Sequence, residues 1–277
     1  MSIYFLLKQI THFFKRIADW CAAHWVYSLL AIFLLGLILK VFVWLGTGGV
    51  SRDGALYLRM IQTLHDSGSY GEVLKQFPWQ GWIPPMYLYL ASCVMYLGAE
   101  AELSAVLVNV IMGALLSPVG YCIVFNVTEN RKISLVSALF LAVNPSIVSL
   151  SIEAQREILY LFLCGCALWL FFYGVRKKQW YFFCGTGALL ALAMLTRYET
   201  GELVLLLPAG IIFLAAMRKL SLKTAAAGVA GIVFSFVISF AAFIYFTGNI
   251  SLLDRYENYF SIKYKTVEEK ITESGGK

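Results

Sequence analysis

Apolar residues run along this chain in seven long blocks: Val26 to Gly46, Leu103 to Phe125, Ser134 to Leu150, Ile158 to Val175, Trp180 to Leu195, Leu203 to Met217 and Ala225 to Phe246. A helix needs about 20 apolar residues to cross a hydrocarbon core, so each block is expected to span a membrane, with only Lys40 interrupting the first. An eighth apolar segment, Pro85 to Leu97 ("PMYLYLASCVMYL"), begins at a Pro-Pro pair. As a helix it covers only about 20 Å at 1.5 Å per residue, too short to cross. Between the first block and this segment, Leu56, Met60, Ile61 and Leu64 recur at helical spacing, with Arg59, Gln62, Thr63 and Asp66 opposite them. That pattern predicts an amphipathic helix over Gly54 to Ser67 lying on the membrane surface. The expected fold is therefore all-α and integral to the membrane, with about seven transmembrane helices and two juxtamembrane helices in the first outer loop.

The basic residues give the spans a direction. Lys and Arg collect in cytoplasmic loops. If Pro85 to Leu97 does not cross, then Arg131 and Lys132, Arg176 to Lys178, and Arg218, Lys219 and Lys223 all join the N-terminus on the cytoplasmic side. If it does cross, all three loops move outside. The non-crossing topology makes residues 1–25 a cytoplasmic basic amphipathic segment, 26–247 a seven-span membrane unit with an outer loop over 47–102, and 248–277 a polar outer-face tail. A secretory leader is not the expected reading of the start, because Lys8, Lys15 and Arg16 lie among Phe5, Phe13, Phe14 and Trp20, as in an interfacial helix.

Composition agrees, at 60% hydrophobic and 14% charged against roughly a quarter charged in soluble proteins. The net charge of +6 suits anionic lipid headgroups, and no basic stripe with interleaved aromatics points to nucleic acid. The six cysteines have no CxxC pairing and read as small buried hydrophobes rather than disulfides or metal ligands.

Under this topology Asp19 and Glu129 are the only carboxylates inside, so candidate chemistry gathers on the outer face. Asp53 opens the surface helix and is either its N-cap or a reactive carboxylate. Glu153 and Glu157 stand four apart and share a face if the helix there begins early. With Arg156 they make either a solvated helix start or part of a site. Arg197, at the end of an apolar run, either snorkels to the interface or binds an anion, and Lys40 is open to the same two readings. Several loops brought together by one bundle would put these groups in one cavity beside lipid, where ionisable residues are functional candidates. His65 is expected to face solvent. A transporter or lipid flippase is the rival class, although such proteins place charges near the midplane on broken helices and often show repeats; a non-catalytic membrane scaffold is a third possibility.

The stretches "SRDGALYLRM", "WIPPMYLYLASCVMYLGAEAELS", "NPSIVSLSIEAQREILYLFL" and "MLTRYETGELVLLLP", in this order over residues 26 to 247, resemble the GT-C-fold glycosyltransferases that use polyprenyl-phosphate sugars. The protein O-mannosyltransferase and aminoarabinose transferase type is the subgroup they are most similar to. The resemblance implies transfer of a sugar from a polyprenyl-phosphate carrier to an acceptor on the outer face, in the cell envelope and at the bacterial inner (plasma) membrane. It places the catalytic acid on Asp53, the second-loop acid on Glu157 rather than Glu153, and the basic residue of the third turn on Arg197; from their positions Arg156 and Lys40 are further candidate phosphate contacts. Many members carry a second acid beside the first, where this chain has Gly54, so a divalent metal is left open. The resemblance also implies a truncated or partial member, because members typically continue through further spans.

Overall fold

The computed structural model describes residues 12, 15–47, 50–78 and 83–247. The tail over 248–277, and with it the expectation of a short surface helix there, lies outside the described residues, as do Phe5, Lys8, Phe13 and Phe14 of the N-terminal segment. Among the described residues all regular structure is helical: α1 (Trp25–Thr47), α2 (Arg52–Ser67), α3 (Tyr70–Gln76), α4 (Met86–Met95), α5 (Ala101–Thr128), α6 (Arg131–Val143), α7 (Pro145–Ile152), α8 (Glu157–Lys177), α9 (Tyr181–Met194), α10 (Thr200–Ala216) and α11 (Leu222–Thr247).

Four of these, α1, α5, α8 and α11, are long and apolar enough to cross a membrane. The block read as one span over Ser134 to Leu150 is instead two helices, α6 and α7, bent by 48°, and the pair makes a fifth crossing if it counts as one. The break has a chemical cause. Pro145 has no amide hydrogen to donate, while the Asn144 side chain accepts from Ser146 N (3.0 Å) and Ile147 N (3.2 Å) and so restarts the helix as its N-cap. The blocks at Trp180 and Leu203 become α9, of 14 residues, and α10, of 17. At 1.5 Å per residue these cover about 21 and 25 Å, less than a 30 Å core.

Helix α5 is the hub. It packs on α1, α2, α4, α6, α7 and α8, while α8, α9, α10 and α11 continue the bundle on one side. Exposed large apolar side chains such as Phe42, Leu45, Leu205, Phe213 and Phe234 cover the outside of α1, α10 and α11. In water that surface would be costly; against acyl chains it is the expected exterior.

The first loop forms a cap on one end of this bundle. Helix α2 buries Tyr57, Met60, Ile61 and Leu64 and leaves Arg59, Gln62 and Asp66 exposed. The sequence pattern thus recurs with Tyr57 buried where Leu56 was expected. A third loop helix, α3, was not foreseen; Tyr70, Val73 and Leu74 bury its one apolar side, and Tyr70 Oη donates to the Ile83 carbonyl. These residues share a core with Leu88 and Ala91 of α4, Val108 of α5 and Leu159 of α8. The backbone also couples the cap to the bundle, since Met86 N donates to Leu195 O at 2.9 Å.

Two ion pairs, Arg176–Glu129 at 2.9 Å and Lys132–Asp19, bring two of the basic loops and the N-terminal helical residues together at the opposite end.

Candidate functional site

The cap end gathers residues from three loops, and the sequence dictates how each is held. Ser51 is extended (φ −63°, ψ 161°), and its hydroxyl accepts from Gly54 N at 3.1 Å. Ser51 is therefore the N-cap of α2, and the alternative reading of Asp53 as the cap is overturned. Asp53 sits one residue into the first turn with an exposed side chain.

The second loop hangs from α5 by one buried amide. Asn109 Nδ2 donates to the carbonyls of Glu153 and Gln155, both at 2.6 Å, and to Tyr87 Oη at 3.2 Å. Tyr87 Oη in turn donates to Ala105 O at 3.1 Å. Gln155 Nε2 reaches Ser51 Oγ at 3.3 Å, so the second loop touches the cap of the surface helix. Helix α7 has ended by Glu153, which is extended (φ −90°, ψ 144°), and α8 begins at Glu157. Glu153 and Glu157 consequently do not share a helical face as their spacing suggested. Glu153 contributes its carbonyl to the loop's anchor, and Glu157 enters the site from the first turn of α8.

Arg197 is fixed in the tight turn between α9 and α10. Its Nε and Nη2 donate to the two carboxylate oxygens of Glu199 (3.3 and 3.1 Å), and its Nη1 donates to Glu157 Oε1 at 3.4 Å. The guanidinium carbon also stands 5.5 Å from the centre of the Tyr160 ring, within range of a cation–π attraction. Three of the five N–H donors are thus engaged. Burial, the largest single influence, pushes the Glu199 carboxyl up, but the hydrogen bonds from Arg197, a backbone hydrogen bond and the positive charges of Arg197 and Arg156 together hold its pKa below the ordinary value. The Glu157–Arg197–Glu199 arrangement replaces a simple snorkelling arginine with an orienting clamp.

Tyr57 shows that the loops converge. It is 7% exposed, burial pushes its hydroxyl up to about 12, and the charges acting on it are, in falling order, Arg156, Glu157, Arg197 and Asp53. Its ring meets Tyr87 edge-on at 5.8 Å. Arg156 itself is buried, at 7% exposure. The charges of four sequence-nominated residues therefore act on one tyrosine hydroxyl that the sequence reading did not nominate. Asn109, Tyr57 and Gln155 were all missed, although a polar Asn109 inside "SAVLVNVIMGALL" was a signal, since buried polar groups at membrane depth seldom lack a role.

Two other residues stand elsewhere. Lys40 does not reach outward to a phosphate. It is fully buried, and its Nζ donates to Gly36 O (3.4 Å) and to Ala142 O (3.3 Å). Ala142 O would be bonded by Ser146 N in an unbroken helix, but that amide is taken by Asn144, so Lys40 serves the carbonyl left over at the α6–α7 break. His65 is half-buried against Tyr96, with ring centres 4.4 Å apart, rather than facing solvent. Among the described residues no three His, Cys, Asp or Glu side chains gather as a metal-binding group. Glu157 gives one of its carboxylate oxygens to Arg197 at 3.4 Å.

No curated protein matches the chain. A family model for dolichyl-phosphate-mannose-protein mannosyltransferases matches residues 83–246, a stretch that contains the second and third loops but begins after Asp53 and Lys40. Because that match takes in more than half of the 277 residues and includes Arg156, Glu157 and Arg197, the chain belongs to the dolichyl-phosphate-mannose-protein mannosyltransferase family, membrane glycosyltransferases of the GT-C type.

Proposed function

We propose that this protein transfers a sugar from a polyprenyl-phosphate carrier to an acceptor hydroxyl on the outer face of the membrane. The observation that carries this reading is the joining of the three loops at one end of the bundle, away from the basic loops: Gln155 reaches Ser51 at the start of the helix that carries Asp53 (3.3 Å), and Arg197 reaches Glu157 (3.4 Å). Polyprenyl-phosphate-linked sugars are the donors this family generally uses. In the orientation that keeps the basic loops cytoplasmic, α6–α7, α9 and α10 join the four long helices to make seven crossings, and the N-terminus is cytoplasmic.

The reaction needs a base for the acceptor and stabilisation for the leaving phosphate. Asp53, exposed and not used as a cap, takes the acceptor proton. The acceptor oxygen bonds to the sugar C1 as the C1–O bond to the carrier phosphate breaks, with inversion at C1. The electron pair leaves with the polyprenyl phosphate, whose growing negative charge is met by Arg197 and Arg156 through charge-assisted hydrogen bonds. Glu157 and Glu199 aim Arg197, which retains two N–H donors for the phosphate. Tyr57, neutral at working pH, offers a hydroxyl among these charges.

The test is a transfer assay with the chain reconstituted in liposomes and a panel of polyprenyl-phosphate sugars and acceptors. Transfer by the parent chain, abolished in Asp53→Asn while circular dichroism and the melting temperature are retained, is the expected outcome. An Asp53→Asn variant that keeps most of the parent's turnover would overturn the assignment of the base.

A further inference from the structure

A cavity lies at the other end of the bundle. It occupies about 240 Å³ and is lined by Trp25, Tyr121, Phe125 and Trp169 together with Arg131 and Arg176. Seventeen residues of α5 separate Asn109 from Asn126, which also lines this cavity; at 1.5 Å per residue that is about 25 Å, so it is no part of the candidate active site.

Its walls are built rather than incidental. Trp25 stacks on Tyr121 (5.5 Å, 5° between planes) and Tyr121 on Phe125 (5.8 Å, 10°), giving three near-parallel rings from α1 and α5. Each guanidinium is laid against a ring: Arg131 over Trp25 at 5.7 Å and Arg176 over Phe125 at 5.1 Å. Glu129 (2.9 Å) and Asn126 (3.4 Å) take two of the five donors of Arg176. Among the described residues no carboxylate lies within ion-pair distance of Arg131. The balance is two fixed cations against one carboxylate, and Glu129 is itself largely exposed.

We infer that this cavity binds the phosphodiester headgroup of an anionic membrane lipid. Trp25 begins a membrane-crossing helix and Phe125 lies three residues before the end of another, so the cavity sits where headgroup meets acyl chain. Aromatic side chains favour that depth, and basic pockets between helices select anionic headgroups there. The rings hold the glycerol and first methylenes, and the two guanidinium groups hold the phosphate. A free anion would gain nothing from three stacked rings, which is why a lipid is the occupant.

The experiment is native mass spectrometry of the whole chain, titrated with phosphatidylglycerol, with phosphatidylcholine of the same acyl chains, and with inorganic phosphate. The parent protein should bind phosphatidylglycerol roughly tenfold more tightly than phosphatidylcholine. Arg131→Gln leaves the Arg176–Glu129 pair intact and should still fold, with the preference cut several-fold. Adding Arg176→Gln should abolish the preference, whereas Lys223→Gln, on an exposed residue outside the cavity, should leave it unchanged. Equal binding of the two lipids by the parent, or an undiminished preference in Arg131→Gln, would overturn the inference. Displacement of phosphatidylglycerol by millimolar inorganic phosphate would also overturn it, by making this a general anion site.

Discussion

Replacing Asn109 with alanine removes a side chain that ties the second loop to the central helix. The amide is fully buried, and its two short bonds run to Glu153 O and Gln155 O at 2.6 Å. Each such bond contributes about 1 kcal/mol net, and each carbonyl left buried without a donor costs at least about 1 kcal/mol more. Against this, Asn109 Oδ1 has no hydrogen-bond partner, and deleting it returns about 1 kcal/mol. The Tyr87 hydroxyl loses a 3.2 Å contact but keeps its bond to Ala105 O. The expected destabilisation is thus about 3 kcal/mol, lowering the melting temperature by roughly 6 °C or more at 2–4 °C per kcal/mol. Asn109→Asp should be worse, because a carboxylate would face two carbonyl oxygens. The assay is thermal unfolding in detergent, followed by intrinsic fluorescence, alongside transfer activity at a temperature where both proteins are folded. Activity should fall further than stability alone predicts, because Arg156 and Glu157 lie just beyond the anchored carbonyls. A melting temperature within 1 °C of the parent for Asn109→Ala would refute the reasoning.

Other consequences are equally open to measurement. Ser51→Ala should lower stability by about 1 kcal/mol as a lost N-cap, whereas Asp53→Ala should cost less than half of that; the reverse order in thermal melts would return the cap to Asp53. Alanine at Gly187 places a methyl group into the Ile232 carbonyl and the Ser235 hydroxyl of α11, so Gly187→Ala should force α9 and α11 apart and cost at least about 1 kcal/mol; an unchanged melting temperature would show that the helices can separate freely. The Glu199 carboxyl is depressed in the folded state, so its contribution is present above the unfolded value of about 4.3 and is lost as pH falls through the lower folded value. The gap in melting temperature between parent and Glu199→Gln should therefore be open at pH 7 and narrow below about pH 4; a gap constant over that range would exclude the Arg197 clamp as its cause.

Much of the architecture follows from hydropathy alone, because lipid imposes a simple rule on helices that cross it. The amphipathic period of α2 located its buried side to within one residue. What periodicity could not decide was which of two good caps two positions apart, Ser51 or Asp53, holds the helix; that depends on where the backbone turns helical, and both residue types suit the place. Apolarity likewise carried the reading straight through Asn144 and Pro145, because every neighbour was lipid-compatible, although a proline after an asparagine is a standard helix restart. The spacing argument for Glu153 failed separately: α8 begins only at Glu157, and Glu153 stays extended in the loop before it. Arg197 was legible as an isolated cation closing an apolar run, and Glu199 stands two residues away in the same turn, but Glu157 opens α8 and only the folded chain brings it to Arg197. Lys40 misled for the opposite reason: six residues from the end of its span it has the reach to snorkel, yet the orphaned carbonyl of Ala142, 102 positions away in sequence, claims it first.

The shortness of α9 and α10 has a mechanical consequence for the bilayer. If both cross, their 14 and 17 residues fall about 5–10 Å short of a 30 Å hydrocarbon slab. Lipids beside a short helix compress to cover it, at a fraction of a kcal/mol per ångström, and the two short helices are neighbours joined by the turn that carries Arg197. The membrane would be thinnest beside that turn. A long-chain lipid phosphate diffusing toward it would meet the guanidinium with less hydrocarbon left to cross, and proteoliposomes made with progressively thicker lipids should lose donor affinity before they lose fold.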